Sequence, residues 1–415
     1  MGFTPLTDEE REVYTGIARR LGGPDFDPGL LFPLQMAMNL DQAKVYLEMP
    51  GPSEDIAKKL GFTTDFVEDT CKELYHKGYV VLTRKAGWQP ARSIIQVTDT
   101  GPIQKYADEL GDNYFAALTG GMGPITSFAM MAMPIPLLKV VPHPQALQKS
   151  GFKKKDILPI EDIRELYKKA SSIAAHYCCC RRAVFGAEER EDAYVCMAFD
   201  YMAEYQVKRG SAKMMSYEEA LEWEKKCMKT WNAITPANGT YLDAFCNCNY
   251  EVPCVWEIME SKGKPMKDGV APSRYQAIAD PAKCISCQEC VTKCKADACK
   301  MIQYPGERKY KAWIDPDKCM GCGCCVTNCK GKACTLICVR PPEFINTEDR
   351  PEAGRYDKPE KYLELAGHTA VAKEAYREKV AEMEKEWCLK HGINRDPYRS
   401  RMEFEQASFQ QSHFG

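Results

Sequence analysis

The chain has 415 residues, a formal net charge of −2 at pH 7 and an isoelectric point near 6.4. This balance excludes a bulk electrostatic attraction to nucleic acid or to a membrane surface as the basis of function. The length leaves room for two to four domains. The 22 cysteines of a chain this large, which opens with an acidic stretch and not a signal peptide, favour reduced, metal-binding thiolates over a disulfide scaffold. We therefore expect a cytoplasmic protein of an anaerobic organism or pathway.

The N-terminal part of the chain predicts three helices followed by a β-hairpin. Helical patterns, ended by glycine or proline, cover residues 33–49, 53–60 and 64–77. Apolar runs at 79–83 and 94–97, separated by a turn, predict the two strands of the hairpin. This order of elements predicts a winged helix, which we place with an N-terminal extension in residues 1–115.

The third predicted helix bears on whether this winged helix reads DNA. It carries four carboxylates that oppose an approach to phosphates: Asp65, Glu68, Asp69 and Glu73. The predicted wing carries Arg84, Lys85 and Arg92, which keeps DNA binding open as an alternative. We favour a protein-docking module, and we do not expect nucleic acid as the partner.

Residues 116–138 contain no charged side chain and are long enough to cross a membrane. The run is interrupted by residues that disfavour a continuous helix: Gly120, Gly121, Gly123, Pro124, Pro134 and Pro136. We therefore favour a methionine-rich loop with a short helix, packed on the core or on a partner, over a membrane span.

The region 116–275 combines helical patterns with three groups of cysteines. The groups are Cys178 with Cys180, the lone Cys196, and Cys246 and Cys248 with Cys254. We expect a mostly helical domain with a third metal site held by about four of these thiolates. An iron–sulfur cluster is favoured, with zinc or free redox thiols as alternatives. Arg181 and Arg182 are predicted to offset the charge of a cluster or to bind an anionic group, and His176 is predicted to be a packed histidine.

Two copies of one cysteine motif lie between Lys283 and Lys330. The spacing C-x2-C-x2-C-x3-C begins at Cys284 and again at Cys319, and it holds 4Fe-4S clusters in which the fourth cysteine binds the cluster of the other copy. Cluster one is therefore assigned to Cys284, Cys287, Cys290 and Cys329, and cluster two to Cys319, Cys322, Cys325 and Cys294. A four-cysteine zinc site, the alternative, needs no third cysteine at the same interval.

Other residues of the repeat are predicted to support the clusters. Lys295 and Lys330 follow the fourth cysteines and would favour the reduced, more negative state; solvation of the surface is an equal alternative. Cys299 and Cys334 are related by the repeat, and we expect them to fill the core.

The repeat resembles the bacterial two-cluster ferredoxins, although Lys295 and Lys330 stand where that family usually has proline. With the winged helix and the C-x-C-R, lone-cysteine and C-N-C motifs, residues 33–340 resemble a family of multi-domain 4Fe-4S proteins from anaerobic bacteria. The resemblance implies a ferredoxin-like dicluster domain at 276–342 and a role in electron transfer.

The complete chain is predicted to be a multi-domain α+β protein, with a helical C-terminal extension and tail at 343–415. We expect an iron–sulfur electron-transfer protein or subunit that relays single electrons between a low-potential donor and a partner oxidoreductase. Neither a G-x-G-x-x-G helix start nor a P-loop occurs in the sequence, which favours a subunit of a complex over a stand-alone enzyme. The alternatives are a redox-sensing DNA-binding regulator and a reductase subunit that uses the middle metal site.

Overall fold

The computed structural model describes residues 6–23, 28–83, 87–132, 136, 138–186, 194–229, 233–236, 244–248, 266–304 and 307–345. Cys254 and the predicted C-terminal helix at 362–390 lie outside these residues. The described residues mix α-helices with small β-sheets, as an α+β fold requires. The chain divides into two compact units. The first contains Met1–Ala132, Ser172–Ser216 and Tyr250–Lys262, and the second contains Met133–Ser171, Tyr217–Asn249 and Gly263–Gly415.

The α-helices of the described residues are, in chain order, α1 Asp8–Gly22, α2 Leu31–Ala37, α3 Leu40–Glu48, α4 Ser53–Leu60, α5 Thr64–Lys77, α6 Ile94–Thr100, α7 Gln104–Ala132, α8 Pro144–Lys149, α9 Ile163–Lys169, α10 Cys179–Phe185, α11 Asp200–Arg209, α12 Tyr217–Lys229, α13 Met266–Gly269, α14 Glu289–Lys293 and α15 Cys324–Thr327. Short 3-10 turns occur at Pro28–Leu30, Lys154–Asp156, Pro159–Glu161 and Pro342–Phe344.

The β-strands of the described residues are β1 Val80–Thr83, β2 Gly87–Pro90, β3 Leu138–Lys139, β4 Ile173–His176, β5 Cys196–Phe199, β6 Ala212–Met215, β7 Ala233–Pro236, β8 Ala244–Cys248, β9 Val270–Ala271, β10 Tyr275–Ala279, β11 Cys299–Ile302, β12 Lys311–Ile314 and β13 Cys334–Cys338. In the first unit β1 pairs with β2, and β4 pairs with both β5 and β6; all these pairs are antiparallel. In the second unit β3 and β9 form a short parallel pair, and β7 and β8 form an antiparallel one.

The predicted helix at 64–77 is confirmed as α5. Thr63 accepts a hydrogen bond from the Phe66 amide and caps its start. Gly78 ends it with φ 93° and ψ 1°, a left-handed conformation that suits glycine. The buried side of α5 includes Val67 and Leu74, which pack in the core of the first unit. An apolar stripe and a glycine stop were therefore sufficient to place this helix.

The predicted helix at 33–49 is two helices, α2 and α3. Asn39 lies between them, where its side chain accepts a hydrogen bond from the Gln42 amide at 2.9 Å. The Gln42 side chain accepts one in return from the Asn39 amide at 3.1 Å. This capping box starts a new helix and interrupts the pattern that the apolar residues suggested.

The predicted second strand at 94–97 is wrong, because these residues form the start of α6. The strand that pairs with β1 is β2, which lies closer in sequence. Ser93 caps α6 by accepting a hydrogen bond from the Gln96 amide, and Ile94 and Val97 are fully buried. A short apolar run suits a buried strand as well as a helix, so the sequence was ambiguous, whereas burial three positions apart is the spacing of one helix face.

The expectation of a loop with only a short helix at 116–138 is also wrong, because α7 continues to Ala132. The helix is interrupted at Gly111, which has φ 71°. Tyr114, Phe115 and Leu118 are buried in the core of the first unit, so packing outweighs the low helix propensity of the glycines that follow. None of the described helices meets the length and apolarity that crossing a membrane requires.

The middle region also contains strands that the sequence did not predict. In the first unit, β4 lies between β5 and β6, and all four of its residues are buried. A strand buried on both faces shows no alternation of polar and apolar residues, so its sequence resembles a helix segment. The hairpin of β7 and β8 adds two further strands in the second unit.

The two cysteine motifs lie within two small antiparallel sheets of the second unit. The strand β10, before the first motif, pairs with β13, which follows the second motif. The strand β12, before the second motif, pairs with β11, which follows the first. Each sheet therefore joins one strand from each copy, so that the copies fold together.

Candidate metal centres

The two motifs are related by the same hydrogen bonds. The Asp280 amide donates to the Ala333 carbonyl at 2.8 Å, and the repeat-related Asp315 amide donates to the Ala298 carbonyl at 2.8 Å. Each aspartate carbonyl then accepts a hydrogen bond from the first cysteine amide of its motif, Cys284 or Cys319. These reciprocal bonds give the repeat an internal two-fold relation, as the sequence echo predicts.

Backbone amides donate to the sulfur atoms of four predicted ligands. The bonds are Ala312 N to Cys284 Sγ at 3.3 Å, Ala277 N to Cys319 Sγ at 3.5 Å, Ala298 N to Cys294 Sγ at 3.2 Å and Ala333 N to Cys329 Sγ at 3.1 Å. A hydrogen bond to sulfur favours the thiolate, and such bonds tune the reduction potential of iron–sulfur clusters. The first two bonds cross between the copies, so each copy helps to hold ligands of the other.

A small cavity is lined by all four cysteines assigned to cluster one: Cys284, Cys287, Cys290 and Cys329. Three come from the first motif and one from the second, which is the shared ligand set that the spacing predicts. Met301, Ala312 and Ala333 form part of the wall, so the cavity is lined by both thiols and apolar side chains. Its donor set therefore fits a 4Fe-4S cluster.

The ligands assigned to cluster two lie deeper in the second unit. Cys319 and Cys325 are buried, and Cys322 is half-buried. The thiols of Cys294 and Cys325 both contact the thiol of Cys299, which brings the fourth cysteine of the first copy beside a ligand of the second copy. The shared assignment thus fits at cluster two as well.

Two buried thiols, Cys299 and Cys334, lie among the predicted ligands. Cys299 contacts Cys290, Cys294 and Cys325, and Cys334 contacts Cys290, Cys325 and Cys329. Hydrogen bonds from Cys299 and Cys334 lower the pKa of Cys290 to about 3, and one from Cys334 lowers the pKa of Cys329 to about 6. The sequence predicted that both thiols fill the core; their contacts with ligands of both clusters were missed.

Burial acts in the opposite direction at Cys319, whose pKa it raises to about 12. A coordinating metal deprotonates a thiol outright, so this burial does not prevent ligation.

Among the described residues, no three histidine, cysteine or acidic side chains are grouped as the ligands of a metal ion.

The lysines that follow the fourth cysteines differ in their surroundings. Lys330 is exposed and lies 3.8 Å from Glu289 of the first motif. Lys295 is half-buried. Their predicted effect on cluster charge stays a prediction.

Three cysteines of the predicted third site meet in the first unit. Cys178 is buried, and hydrogen bonds from the thiols of Cys180 and Cys196 hold its pKa well below the usual range. Cys246 and Cys248 lie on β8 in the second unit. The structure therefore brings Cys178, Cys180 and Cys196 together, and a metal site at these thiols stays a prediction.

The two arginines beside this thiol group are both buried. Arg182 Nε donates to Asp112 Oδ1 at 2.8 Å, and its guanidinium lies 5.1 Å from the centre of the Phe115 ring. Asp112 thus offsets much of its charge. The positive charge of Arg181 helps to lower the pKa of Cys178. The predicted role of both arginines beside a cluster or an anionic group stays a prediction. Burial lowers the pKa of His176 to about 4, which fits the neutral, packed histidine that the sequence predicts.

A buried polar group in the second unit was not anticipated. Glu224 Oε1 accepts hydrogen bonds from the Tyr167 hydroxyl at 2.6 Å and the Asn247 amide at 2.8 Å. Burial raises the pKa of Glu224 to about 7. Asn247 stands between Cys246 and Cys248 in the C-N-C motif, and the alternation of strand β8 was the available signal that this residue points inward.

No protein-family model matches the chain, and no curated protein or solved structure is significantly similar to it. The arguments about its function therefore start from its own residues and their geometry.

Proposed function

We propose that this chain is an iron–sulfur electron-transfer protein, acting as a subunit that relays single electrons between a low-potential donor and a partner oxidoreductase. The observation that supports it is the cysteine repeat of the second unit, where four thiols from two interlocked copies line one cavity. Two 4Fe-4S clusters, when bound, would supply one-electron chemistry at low potential. A cytoplasmic location and an anaerobic setting belong to the same proposal.

The chain's own residues have three tasks in this function. Cys284, Cys287, Cys290 and Cys329 hold cluster one, while Cys319, Cys322, Cys325 and Cys294 hold cluster two. The amides of Ala277 and Ala312 donate to ligand sulfurs and thereby stabilise added negative charge. Buried side chains such as Leu336 keep water from the sulfur atoms and lower the local dielectric constant.

The N-terminal helices and hairpin are proposed to act as a winged helix that docks a protein. Carboxylates of α5 are occupied within the fold, which supports docking over DNA reading. Glu68 accepts hydrogen bonds from Ser53 and from Trp88 Nε1, the latter at 3.1 Å, and Glu73 accepts one from Gln42 at 2.8 Å. These acidic groups would still repel phosphates in a major groove.

The first test is to count iron, acid-labile sulfide and zinc in anaerobically purified protein. We expect about eight irons from the repeat, because two cubane clusters carry four each, and about four more if the thiol group around Cys178 holds a cluster. The protein should also accept electrons from dithionite and return them to a one-electron acceptor. A preparation with zinc in place of iron, or with neither, contradicts the proposed function.

A further inference from the structure

We propose that the redox partner docks over cluster one and that it is an acidic one-electron carrier protein. This inference rests on the proposed function and names the partner's chemistry. The docking surface consists of the exposed residues Ile285, Cys287 and Tyr310 with the cations around them; we call it the cluster-one face. One electron passes between carrier and protein there, so the carrier is oxidised and the protein reduced, with no bond made or broken.

The two copies differ in exposure although their sequences match. Ile285 is 59% exposed, whereas Met320, at the same position of the second copy, is 3% exposed. Cys287 is exposed, whereas its counterpart Cys322 is half-buried. Electron transfer between proteins requires a short distance from the redox centre to the surface. Because the first copy is more exposed, we infer that electrons pass between the carrier and cluster one.

The second copy is covered by α8 and by His143, which precedes it. The His143 amide donates to the Cys322 carbonyl at 2.8 Å, and the Lys149 ammonium donates to the Thr327 carbonyl at 2.5 Å. Gly323 approaches so closely that an added Cβ would lie 2.4 Å from the Cβ of Ala146. This cover is built from the same unit and closes the surface over cluster two.

The cluster-one face is continuous. Ser286 donates to the Tyr310 carbonyl at 2.7 Å, which joins the first motif to the segment before β12. A Cβ added at Gly331 would lie 3.2 Å from the side chain of Ile285 and 2.9 Å from the Lys283 carbonyl. The residues flanking Gly331 and Tyr310 therefore belong to the rim of this face.

The rim is positively charged. Its exposed cations are Lys283, Arg308, Lys309, Lys330 and Lys332. Two acids offset part of this charge: Asp280 lies 3.5 Å from Lys283, and Glu289 lies 3.8 Å from Lys330. A cationic rim around exposed apolar residues suits a partner whose own redox centre is ringed by carboxylates, because complementary charge accelerates encounter and apolar contact holds the complex.

The test uses the complete, iron-loaded protein and a purified acidic flavodoxin as the carrier. Two variants change the rim: Lys283→Glu and the double variant Lys283→Glu with Lys332→Glu. We expect the second-order rate constant of electron exchange at low salt to fall about threefold in the single and about tenfold in the double variant, with a weaker dependence on salt. The dissociation constant of the carrier complex should rise in parallel.

The matched control is Lys318→Glu, which stands at the repeat-equivalent position of Lys283 and is also paired with an aspartate, Asp297. We expect its rate constant to stay within a factor of about two of the parent. The inference would be overturned by any of three results. These are equal slowing of the control variant, unchanged rate constants in the double variant, and faster electron exchange with a basic carrier than with flavodoxin. With eight irons present, such results leave the proposed function standing; an iron-free protein overturns both.

Discussion

Ligand and packing cysteines lie side by side in each copy of the repeat. Cys329 Sγ accepts a hydrogen bond from the amide of Cys334 at 3.4 Å, and the thiols of Cys294 and Cys299 are also in contact. Each pair lies within one short segment of its own copy, so composition does not separate ligand from packing cysteine. Their spacing does, because Cys294 and Cys329 close the C-x2-C-x2-C-x3-C pattern whereas Cys299 and Cys334 begin strands.

This assignment makes a prediction about single cysteines. Changing Cys294→Ala should reduce the iron content by about four per chain, because one cluster loses a ligand. Changing Cys299→Val should retain the iron, because valine fills a similar volume and Cys299 is not a ligand. Iron and sulfide analysis after anaerobic purification distinguishes a ligand from a packing cysteine.

The Cys299→Val variant also reports on the contacts of this thiol. Loss of an S–H donor to ligand sulfurs should lower the reduction potential of the clusters, since hydrogen bonds to sulfur favour the reduced state. Loss of iron from Cys299→Val, with iron retained in Cys294→Ala, would reverse the ligand assignment.

Helix α11 is joined to the first unit by one buried arginine. Arg209 donates hydrogen bonds to four backbone carbonyls, those of Tyr75, His76, Thr100 and Gly101, at 2.6 to 3.1 Å. Helices α5 and α6, which both end at a glycine, have carbonyl groups at their C-terminal ends without a partner in the helix. A guanidinium carries several N–H groups and can donate to these carbonyls together. Together with the hydrogen bonds of Tyr205 to the Val80 carbonyl and of Gln206 to the Asp99 carbonyl, the guanidinium joins residues 172–216 to the N-terminal helices.

We predict that Arg209→Met lowers the free energy of unfolding of the first unit by about 3–5 kcal/mol, because several buried carbonyls lose their partner. The control is Arg20→Met, which removes a single bond to the Tyr46 carbonyl from an exposed arginine and should cost about 1 kcal/mol or less. Urea unfolding followed by circular dichroism measures both. Equal costs for the two variants would show that the four bonds do not act together.

Elements could be predicted from the sequence where a local signal was complete. Helix α5 has an apolar stripe and a glycine stop, and its predicted span was confirmed. Helix α6 has a cap at Ser93 and a stop at Gly101, but the short apolar run at 94–97 suits a buried strand and a helix alike and was interpreted as a strand. Helix α7 forms although it contains several glycines, because the packing of Tyr114 and Phe115 in the core stabilises it.

At the scale of the whole molecule, two groups of thiols lie in different compact units. The thiol group of Cys178, Cys180 and Cys196 belongs to the first unit, and the cysteine repeat of 284–329 belongs to the second. The two sites share no predicted ligand, so they should load with metal independently.

We predict that the double variant Cys178→Ala with Cys196→Ala contains about four irons fewer than the parent protein and keeps about eight. The spectrum of the two remaining clusters, measured by electron paramagnetic resonance after reduction, should be unchanged. A parent protein with eight irons, or a double variant that loses iron from the repeat, would contradict a separate third cluster.

The sequence alone predicted eight cysteine ligands in the repeat and their division between two clusters, because ligand spacing on a short loop is a local property. It also determined the helices that have complete start and stop signals. The tertiary structure decided the meeting of Cys178, Cys180 and Cys196, the contacts of Cys299 and Cys334, and the cover of one copy by His143 and α8. These features join residues far apart in the chain, and contacts at that range depend on packing, which no local pattern encodes.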